Sequence, residues 1–376
     1  MKHLKLMWTL ISLIVVAYIA TFVVLHGNNN NNHVARQTYD RWQKSYVVKQ
    51  NKNETFVNTS NNRHKPVALS EGQGYGLYIT AKAGAKGWAK ESDFKKLLNY
   101  YLHHREQIGQ KTTYLMQWRQ STKKGEWVSQ HNSATDGDLY IADSLMQAQK
   151  VWPKHQAYYK KLANKVTADI LSYEYNDKMQ VLTAGSWATK KSDYYNLIRT
   201  SDVAPGFFEK FYQQTHDKRW LTIKNTMLDR MVDLSDQHKT GLVPDFAWVS
   251  ADSAKPVKSR TIATVDDGHY AANASRVPMM LADSDDKRAQ KVQQKLLDFF
   301  VDQEKITAGY ALSGQPLNDY QSNSFRAPLF YAVNKTNDLK YNRLFTSQQK
   351  IFARPLVTNN YYDATLTTMA ALEGIN

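Results

Sequence analysis

The sequence predicts an all-α fold, an α/α barrel behind one N-terminal transmembrane helix, and three observations predict it. Twelve segments read as helix: 35–49, 70–84, 92–107, 136–152, 155–176, 201–215, 220–237, 272–284, 286–305, 322–334, 339–352 and 361–374. Few runs alternate apolar and polar residues with period two, so sheet is not expected to organise the chain. No low-complexity linker divides residues 35–376, and twelve helices in one uninterrupted domain pack most simply in pairs around a barrel. The loops at one end would then hold the site.

The first 26 residues stand apart. Lys2, His3 and Lys5 precede an uncharged run from Leu6 to Leu25, which as helix is about 30 Å long, enough to cross a bilayer. Basic residues on the short flank place that end in the cytoplasm and the remainder outside. A cleaved signal peptide is the competing reading, but the apolar run exceeds an ordinary signal core and no small-x-small cleavage site follows it. The expected organisation is a signal anchor over 1–26, a polar Asn-rich tether over 27–34 and a catalytic domain over 35–376. The protein would be single-pass in the cell membrane with its domain extracellular, or secreted if the signal is cleaved.

Among the helices, two are marked especially well. Phe94, Leu97, Leu98, Tyr101 and Leu102 recur at spacings of three and four, as do Val292, Leu296, Leu297, Phe299 and Phe300. The second helix opens unusually, on Ala68-Leu69-Ser70-Glu71-Gly72-Gln73-Gly74-Tyr75-Gly76-Leu77. Glycine weakens a helix by about 1 kcal/mol relative to alanine, so three of them imply close approach of something bulky, and a sugar ring beside the Glu71 carboxyl meets that description. The plainer alternative is a helix start with Ser70 as cap and Glu71 favoured by the helix dipole. Two long connections, 108–135 and 238–271, hold Trp118, Trp127, Asp245, Trp248, Asp266 and Asp267. Long loops of such composition are functional more often than disordered.

Composition narrows the chemistry. With 42% hydrophobic residues over 376 positions a large core is available, and the complete lack of cysteine removes disulfides and thiolate metal sites. The formal charge of +15 is scattered as Lys95-Lys96, Lys160-Lys161 and Lys190-Lys191 rather than gathered in one patch. That distribution argues against nucleic acid and for an anionic envelope or simple solubility. The histidines show no zinc spacing, and neither a Gly-x-Ser-x-Gly elbow nor a phosphate or dinucleotide loop is present. No metal and no cofactor are expected.

What remains is carboxylates and aromatics. Glycoside hydrolysis needs two carboxyl groups of opposite character, one protonated and one ionised. Besides Glu71, acidic residues cluster in Ala134-Thr135-Asp136-Gly137-Asp138, in Gly241-Leu242-Val243-Pro244-Asp245 and in Thr264-Val265-Asp266-Asp267-Gly268. Asp136 and Asp138 sit where a helix begins and free N–H groups favour ionised carboxyls. The 23 tyrosines and 9 tryptophans supply flat faces for sugar rings. Most are core residues, but Tyr75, Trp118, Trp127, Trp187 and Trp248 lie in glycine-rich or acidic stretches.

Ser70-Glu71-Gly72-Gln73-Gly74-Tyr75-Gly76, Ala134-Thr135-Asp136-Gly137-Asp138 and Asn273-Ala274-Ser275-Arg276-Val277-Pro278, in this order and spacing, resemble glycoside hydrolase family 8. These are inverting endo-glycanases that include cellulases, xylanases, lichenases and chitosanases. Leu115-Met116-x-Trp118, the Pro244-Asp245 turn and Tyr361-Tyr362-Asp363 are weaker echoes. The resemblance implies an (α/α)6 barrel. It makes Glu71 the general acid, sets Asp136 under the sugar at the cleavage point, and gives Trp118 as a stacking platform and Arg276 as the partner of site carboxylates. Tyr75, Asp138, Trp248 and Asn273 complete the expected substrate contacts. One departure stands out: many members carry aspartate, the general base, where this chain has Asn273, and an asparagine cannot take a proton from water. The candidates for base are Asp245, ranked first for its Pro-Asp turn, then Asp267 and Asp266.

The function expected is therefore a membrane-anchored, extracytoplasmic, inverting endo-glycosidase acting on a β-linked polysaccharide. The polymer would be a β-glucan, cellulose-like or amino-sugar chain made at the cell's own surface, in company with an exopolysaccharide synthesis and secretion complex. A glycan-binding protein on a degenerate hydrolase fold is the alternative from another class, and a polysaccharide lyase is a third.

Overall fold

The computed structural model describes residues 13–14, 30–62, 64–336 and 338–375. The span expected over 6–25 lies outside the described residues apart from Leu13 and Ile14. Among the described residues no helix is long and apolar enough to cross a membrane.

All twelve expected helical segments contain helix: α1 (30–46), α2 (Ser70–Ala85), α3 (Glu91–His103), α4 (Thr135–Val151), α5 (Gln156–Tyr173), α6 (Pro205–Thr215), α7 (Arg219–Asp236), α8 (Val277–Leu281), α9 (Lys287–Val301), α10 (Asn323–Thr336), α11 (Asn342–Gln349) and α12 (Tyr361–Glu373). The even-numbered helices touch one another in turn, and α12 returns to α2, so they close an inner ring with the odd-numbered helices outside it. This is the (α/α)6 barrel. The division follows from sequence pattern. In α9, Ala289, Val292, Gln293, Leu296, Leu297 and Phe300 are buried along one stripe, as an outer helix requires. Helix α2 is buried nearly all round, from Ser70 through Ala83, because an inner helix is packed on every side. Helix α1 is tied to the ring by Trp42, whose indole donates to Thr365 Oγ1 on α12 (3.0 Å).

Two expectations need correction. Helix α1 already includes Asn30 to Val34, so the stretch read as a polar tether is partly helical. The fold is also not purely helical, and outside the two long connections it already holds the pairs β1–β2 (Val47–Lys49, Thr55–Val57) and β8–β9 (Tyr175–Asn176, Val181–Leu182). The 108–135 region forms hairpins β4–β5 (Arg105–Ile108, Lys111–Met116) and β6–β7 (Arg119–Lys123, Glu126–Gln130), with β3 (Val67–Leu69) added to β6. The 238–271 region supplies β11 (Phe246–Val249) and β12 (Ala254–Pro256), which extend from β10 (Leu197–Arg199). Strands of three to six residues are too short to show a period, and hairpin β6–β7 turns on Lys124 and Gly125, both at positive φ (52° and 86°), the backbone that matches strand twist.

Candidate active site

Glu71 lies in the first turn of α2 and Asp136 in the first turn of α4, and glycines bring these two helix starts together. A methyl carbon on Gly137 would fall 2.5 Å from the Ser70 carbonyl carbon, 2.6 Å from Ser70 Oγ and 2.7 Å from the Glu71 nitrogen. On Gly74 it would fall 2.8 Å from the Gly137 carbonyl oxygen and 2.9 Å from the Tyr140 Cβ. Gly72 faces Thr59 and Tyr361, and Gly76 faces Val57. The glycines therefore admit neighbouring protein, correcting the idea that they make room for a sugar. Ser70 is the first helical residue rather than the cap, and its hydroxyl bonds nothing.

Arg276, in the turn before α8, joins the acidic groups. Its side chain is buried and pairs with Glu71, while Nη1 also donates to Tyr75 Oη (2.7 Å) and to Asp136 Oδ2 (3.4 Å). Nη2 donates to Ser201 Oγ and to Asn273 Oδ1, both at 2.8 Å. Tyr75 donates its own hydroxyl to Glu71 Oε1 (3.0 Å). Asp136 receives a second guanidinium from Arg199 (2.8 Å) and the Gly137 N–H (2.9 Å).

The environments push the two carboxyls apart. Burial raises the Glu71 carboxyl above its usual range; Arg276 opposes this and the charge of Asp136 adds to it. For Asp136 burial acts the same way, but Arg199 and then Arg276 outweigh it and hold the group below the ordinary aspartate value. Glu71 keeps 18% of its side chain exposed, so a proton on it is within reach of solvent and of a bound ligand. One carboxyl inclined to keep its proton beside one held ionised is the pairing that acid-assisted bond cleavage uses.

Asp245 and Asn273 extend the network. Asp245 Oδ1 accepts the N–H groups of Ala271 (3.1 Å) and Ala274 (2.7 Å), and Oδ2 accepts Asn273 Nδ2 (3.1 Å). Asn273 thus links Asp245 to Arg276, and through it to Glu71. Asp245 thus gathers the 271–274 turn around its carboxyl, and burial pushes that carboxyl up to about 6. Asp267 differs. Its two oxygens accept the N–H groups of Ile262, Ala263 and Thr264 and the Thr264 hydroxyl, so it fastens its own loop instead of joining the Arg276 network. That corrects its candidacy as base. Asp138 is also corrected as a substrate contact: it is fully buried and accepts the Met116 N–H (2.8 Å).

The aromatic expectations divide as well. Trp118 follows β5, and its carbonyl accepts the N–H of Ser70 (3.0 Å), one residue before Glu71. Trp248 pairs with Leu197 across β10–β11, on the sheet face it shares with Phe246 and Arg199, and stacks on Tyr194 with centroids 6.1 Å apart. Tyr75 is fully buried beneath the charged cluster. Sequence reasoning missed Arg199, Ser201, Asp202 and Glu174, which lie in stretches without a motif, and assigned no role to Tyr362. Tyr362 lies among Arg276, Glu71, Asp245 and Asp136, with its hydroxyl donating to the Ala272 carbonyl (3.1 Å); the Tyr361-Tyr362-Asp363 echo was its signal. Among the described residues no group of three His, Cys, Asp or Glu side chains is placed to hold a metal ion.

Comparison with known proteins identifies the family. Residues 5–374 match the sequence profile described as Glycosyl hydrolases family 8. The chain is 27% identical over 323 residues to a "Beta-glucanase" of Niallia circulans, covering 80% of this chain and 77% of that protein. It is 27% identical over 330 residues to an "Endoglucanase" of Bacillus sp. (strain KSM-330), covering 81% and 68%. The apo β-1,3-1,4-glucanase of Paenibacillus sp. X4 superposes with a TM-score of 0.82 at 23% identity, covering 92% of each chain. A reducing end xylose-releasing exo-oligoxylanase shares the fold at a TM-score of 0.72 and 18% identity. The chain belongs to glycosyl hydrolases family 8, a glycosidase family whose reaction class is hydrolysis of O-glycosyl bonds.

Proposed function

We propose that this protein cuts a β-linked glucan internally with inversion, Glu71 serving as general acid, Asp136 orienting the sugar and Asp245 serving as general base. The observation that carries the reading is the split between Glu71, raised by burial, and Asp136, held ionised by two arginines. In the reaction Glu71 gives its proton to the glycosidic oxygen as the bond to the anomeric carbon breaks. Water attacks that carbon from the opposite face and passes its proton to Asp245. Asn273, in this scheme, replaces a base by a bridge that aims one. Trp118, beside Glu71, and Trp248, on the sheet that carries Arg199, are the proposed sugar platforms.

The names of the relatives support a β-glucan or cellulose-like substrate. The uncharged run near the N-terminus supports a membrane-anchored protein acting outside the cell on an exopolysaccharide, in company with the complex that makes it.

The test is release of reducing ends from barley mixed-linkage β-glucan and from the producer's own exopolysaccharide. Wild type should release them with the α and β anomers in the order inversion requires, and Glu71→Gln should lose the activity by about 10²–10⁴-fold, the range for a positioned acid. Equal, negligible release by both proteins, with both binding the polymer, would favour the glycan-binding alternative that Asn273 raises.

A further inference from the structure

The fold gathers in one place charge that the sequence scatters. All six inner helices begin at the cleft. Glu71, Asp136 and Tyr362 lie in the first turns of α2, α4 and α12, Arg276 immediately precedes α8, and the Thr200–Asp202 turn leads into α6. Ser324, in the first turn of α10, donates its N–H to Asp363 of α12 (2.8 Å). The six helices therefore end on the far side, where Lys82 of α2 pairs with Glu373 of α12. Helix α1 runs the other way. Asn31, Asn32 and Ala35 near its start border one groove with Lys86, just past α2, and with Ala371 and Glu373, which end α12. The chain thus enters the barrel at the end away from the cleft.

Beside that entry the surface is basic. No carboxylate lies between Asp143 and Asp169, and Lys150, Lys154, Lys160 and Lys161 are exposed at the end of α4, in the connection after it and in the opening turns of α5. Lys86 and Lys90, also exposed, bracket the connection from α2 to α3. Trp152 holds the two connections together: its ring meets Phe94 of α3 (centroids 5.0 Å) and fills the space at Gly84, where a methyl carbon would fall 2.6 Å from it. The carboxylates nearby are already engaged. Glu91 binds Lys95 (3.3 Å), His155 (2.8 Å) and the Tyr159 hydroxyl (2.7 Å), and Asp93 accepts the Lys90 N–H (3.1 Å). Aromatic rings sit among the lysines: Lys86 lies over the half-buried Trp88 (5.4 Å), and Tyr158 is 43% exposed. Across the same end the 282–286 connection is acidic, with Asp283 and Asp285 exposed. Lysines interleaved with amphipathic rings are the composition of a surface that meets anionic headgroups.

We propose that this lysine face, formed by Lys86, Lys90, Lys150, Lys154, Lys160 and Lys161, docks on the anionic lipid headgroups of the membrane and holds the barrel with its cleft turned outward. For the way the chain arrives, the proposal rests on the membrane-anchored reading above. Leu25 ends the uncharged run five positions before Asn30 opens α1, a reach of at most about 18 Å when fully extended. An anchored chain therefore keeps this end of the barrel close to the bilayer, within about two screening lengths of its charge at physiological salt. Helix α4 has 17 residues and is about 25 Å long, which sets Asp136 and its neighbour Glu71 that far from the docked face. The cleft then opens towards polymer leaving the cell and not towards lipid, while the acidic 282–286 side tilts away from the headgroups.

The chain has no cysteine, so one introduced thiol reports on one place. Full-length Ala157→Cys, between Lys154 and Lys160, carries a fluorophore on the lysine face, and Lys123→Cys, in hairpin β6–β7, carries it at the cleft end. Each is reconstituted with vesicles of phosphatidylcholine alone or mixed with phosphatidylglycerol, both containing a headgroup nitroxide lipid that quenches on contact. Quenching at 157 should appear with phosphatidylglycerol and fade in about 1 M salt, and quenching at 123 should stay low throughout. Each lysine removed should weaken docking about fivefold, so Lys154→Gln, Lys160→Gln and Lys161→Gln combined should weaken it about 10²-fold, with a thermal midpoint matching wild type to show that the fold is intact. Equal quenching at 157 in the two lipids, or quenching that the triple variant keeps, would overturn the proposal. Capture by soluble poly(glycerol phosphate) but not by phosphatidylglycerol vesicles would also overturn it, by making an anionic polymer the partner. If the full chain stays in solution with phosphatidylcholine vesicles, the anchored reading fails alone. Co-sedimentation with phosphatidylglycerol vesicles then decides: binding that the triple variant loses upholds the lysine face, and no binding overturns it.

Discussion

Replacing Gly137 by alanine is expected to disable the site while leaving the fold nearly as stable. The new methyl carbon would lie 2.5 to 2.7 Å from Ser70 and Glu71 backbone and hydroxyl atoms, whereas carbons in contact settle at about 3.5–4.0 Å. Backbone cannot swing aside as a long side chain does, so α2 and α4 must separate by about 1 Å at their N-termini. Overpacking of this kind costs about 1–3 kcal/mol, and alanine returns about 1 kcal/mol of helix propensity, leaving a net loss of about 0–2 kcal/mol. The same displacement moves Glu71 relative to Asp136 and Arg276, and a 1 Å error in a catalytic constellation costs about 10²-fold in rate. The assay is kcat and KM on β-glucan beside a thermal melt. Gly206→Ala serves as control, since its methyl would meet Asp283 at an ordinary 3.5 to 3.9 Å and should leave both readouts unchanged. If Gly137→Ala kept wild-type kcat, the close approach of the two helix starts would not be what sets the acid in place.

Three further outcomes follow from the site. Asp245→Asn should lower turnover by about 10²–10⁴-fold, whereas Asp267→Asn, which only loosens a loop, should stay within about tenfold of wild type; the reverse order would return Asp267 to candidacy. A base acts only when ionised, and Asp245 is pushed up to about 6 by burial, so kcat/KM should fall as pH drops through about 6. Asn273→Asp sets a carboxyl where an amide donated at 3.1 Å, and the like charge should carry that acidic limb upward by about 1–2 pH units. An unmoved limb with higher activity would mean that position 273 itself supplies the better base.

Much of the fold was legible because helix propensity and a 3.6-residue stripe are local. Each of the twelve segments held, and the stripe of Val292, Leu296, Leu297 and Phe300 is buried as its spacing required. The strands were not legible, since runs of two to six residues carry too little pattern. Glu71, Asp136 and Arg276 were found through their motifs. Arg199 was not, because its only distinction is the partner it meets, Asp136, across 63 residues of chain. Asp138 was misjudged for the same reason: a carboxylate at a helix start looks alike whether it faces the cleft or, as here, a buried backbone N–H.

The sequence by itself determined where the helices lie, that acidic groups and not thiols or metal ligands carry the chemistry, and which glycine-rich turns open the two helices of the site. Only the tertiary structure decided which carboxyl keeps its proton. That property depends on burial and on charges brought from elsewhere in the chain, Arg276 reaching Glu71 across 205 positions. The glycines changed meaning by the same route, since what a missing side chain makes room for is known only when the neighbour, here the start of another helix, is in place.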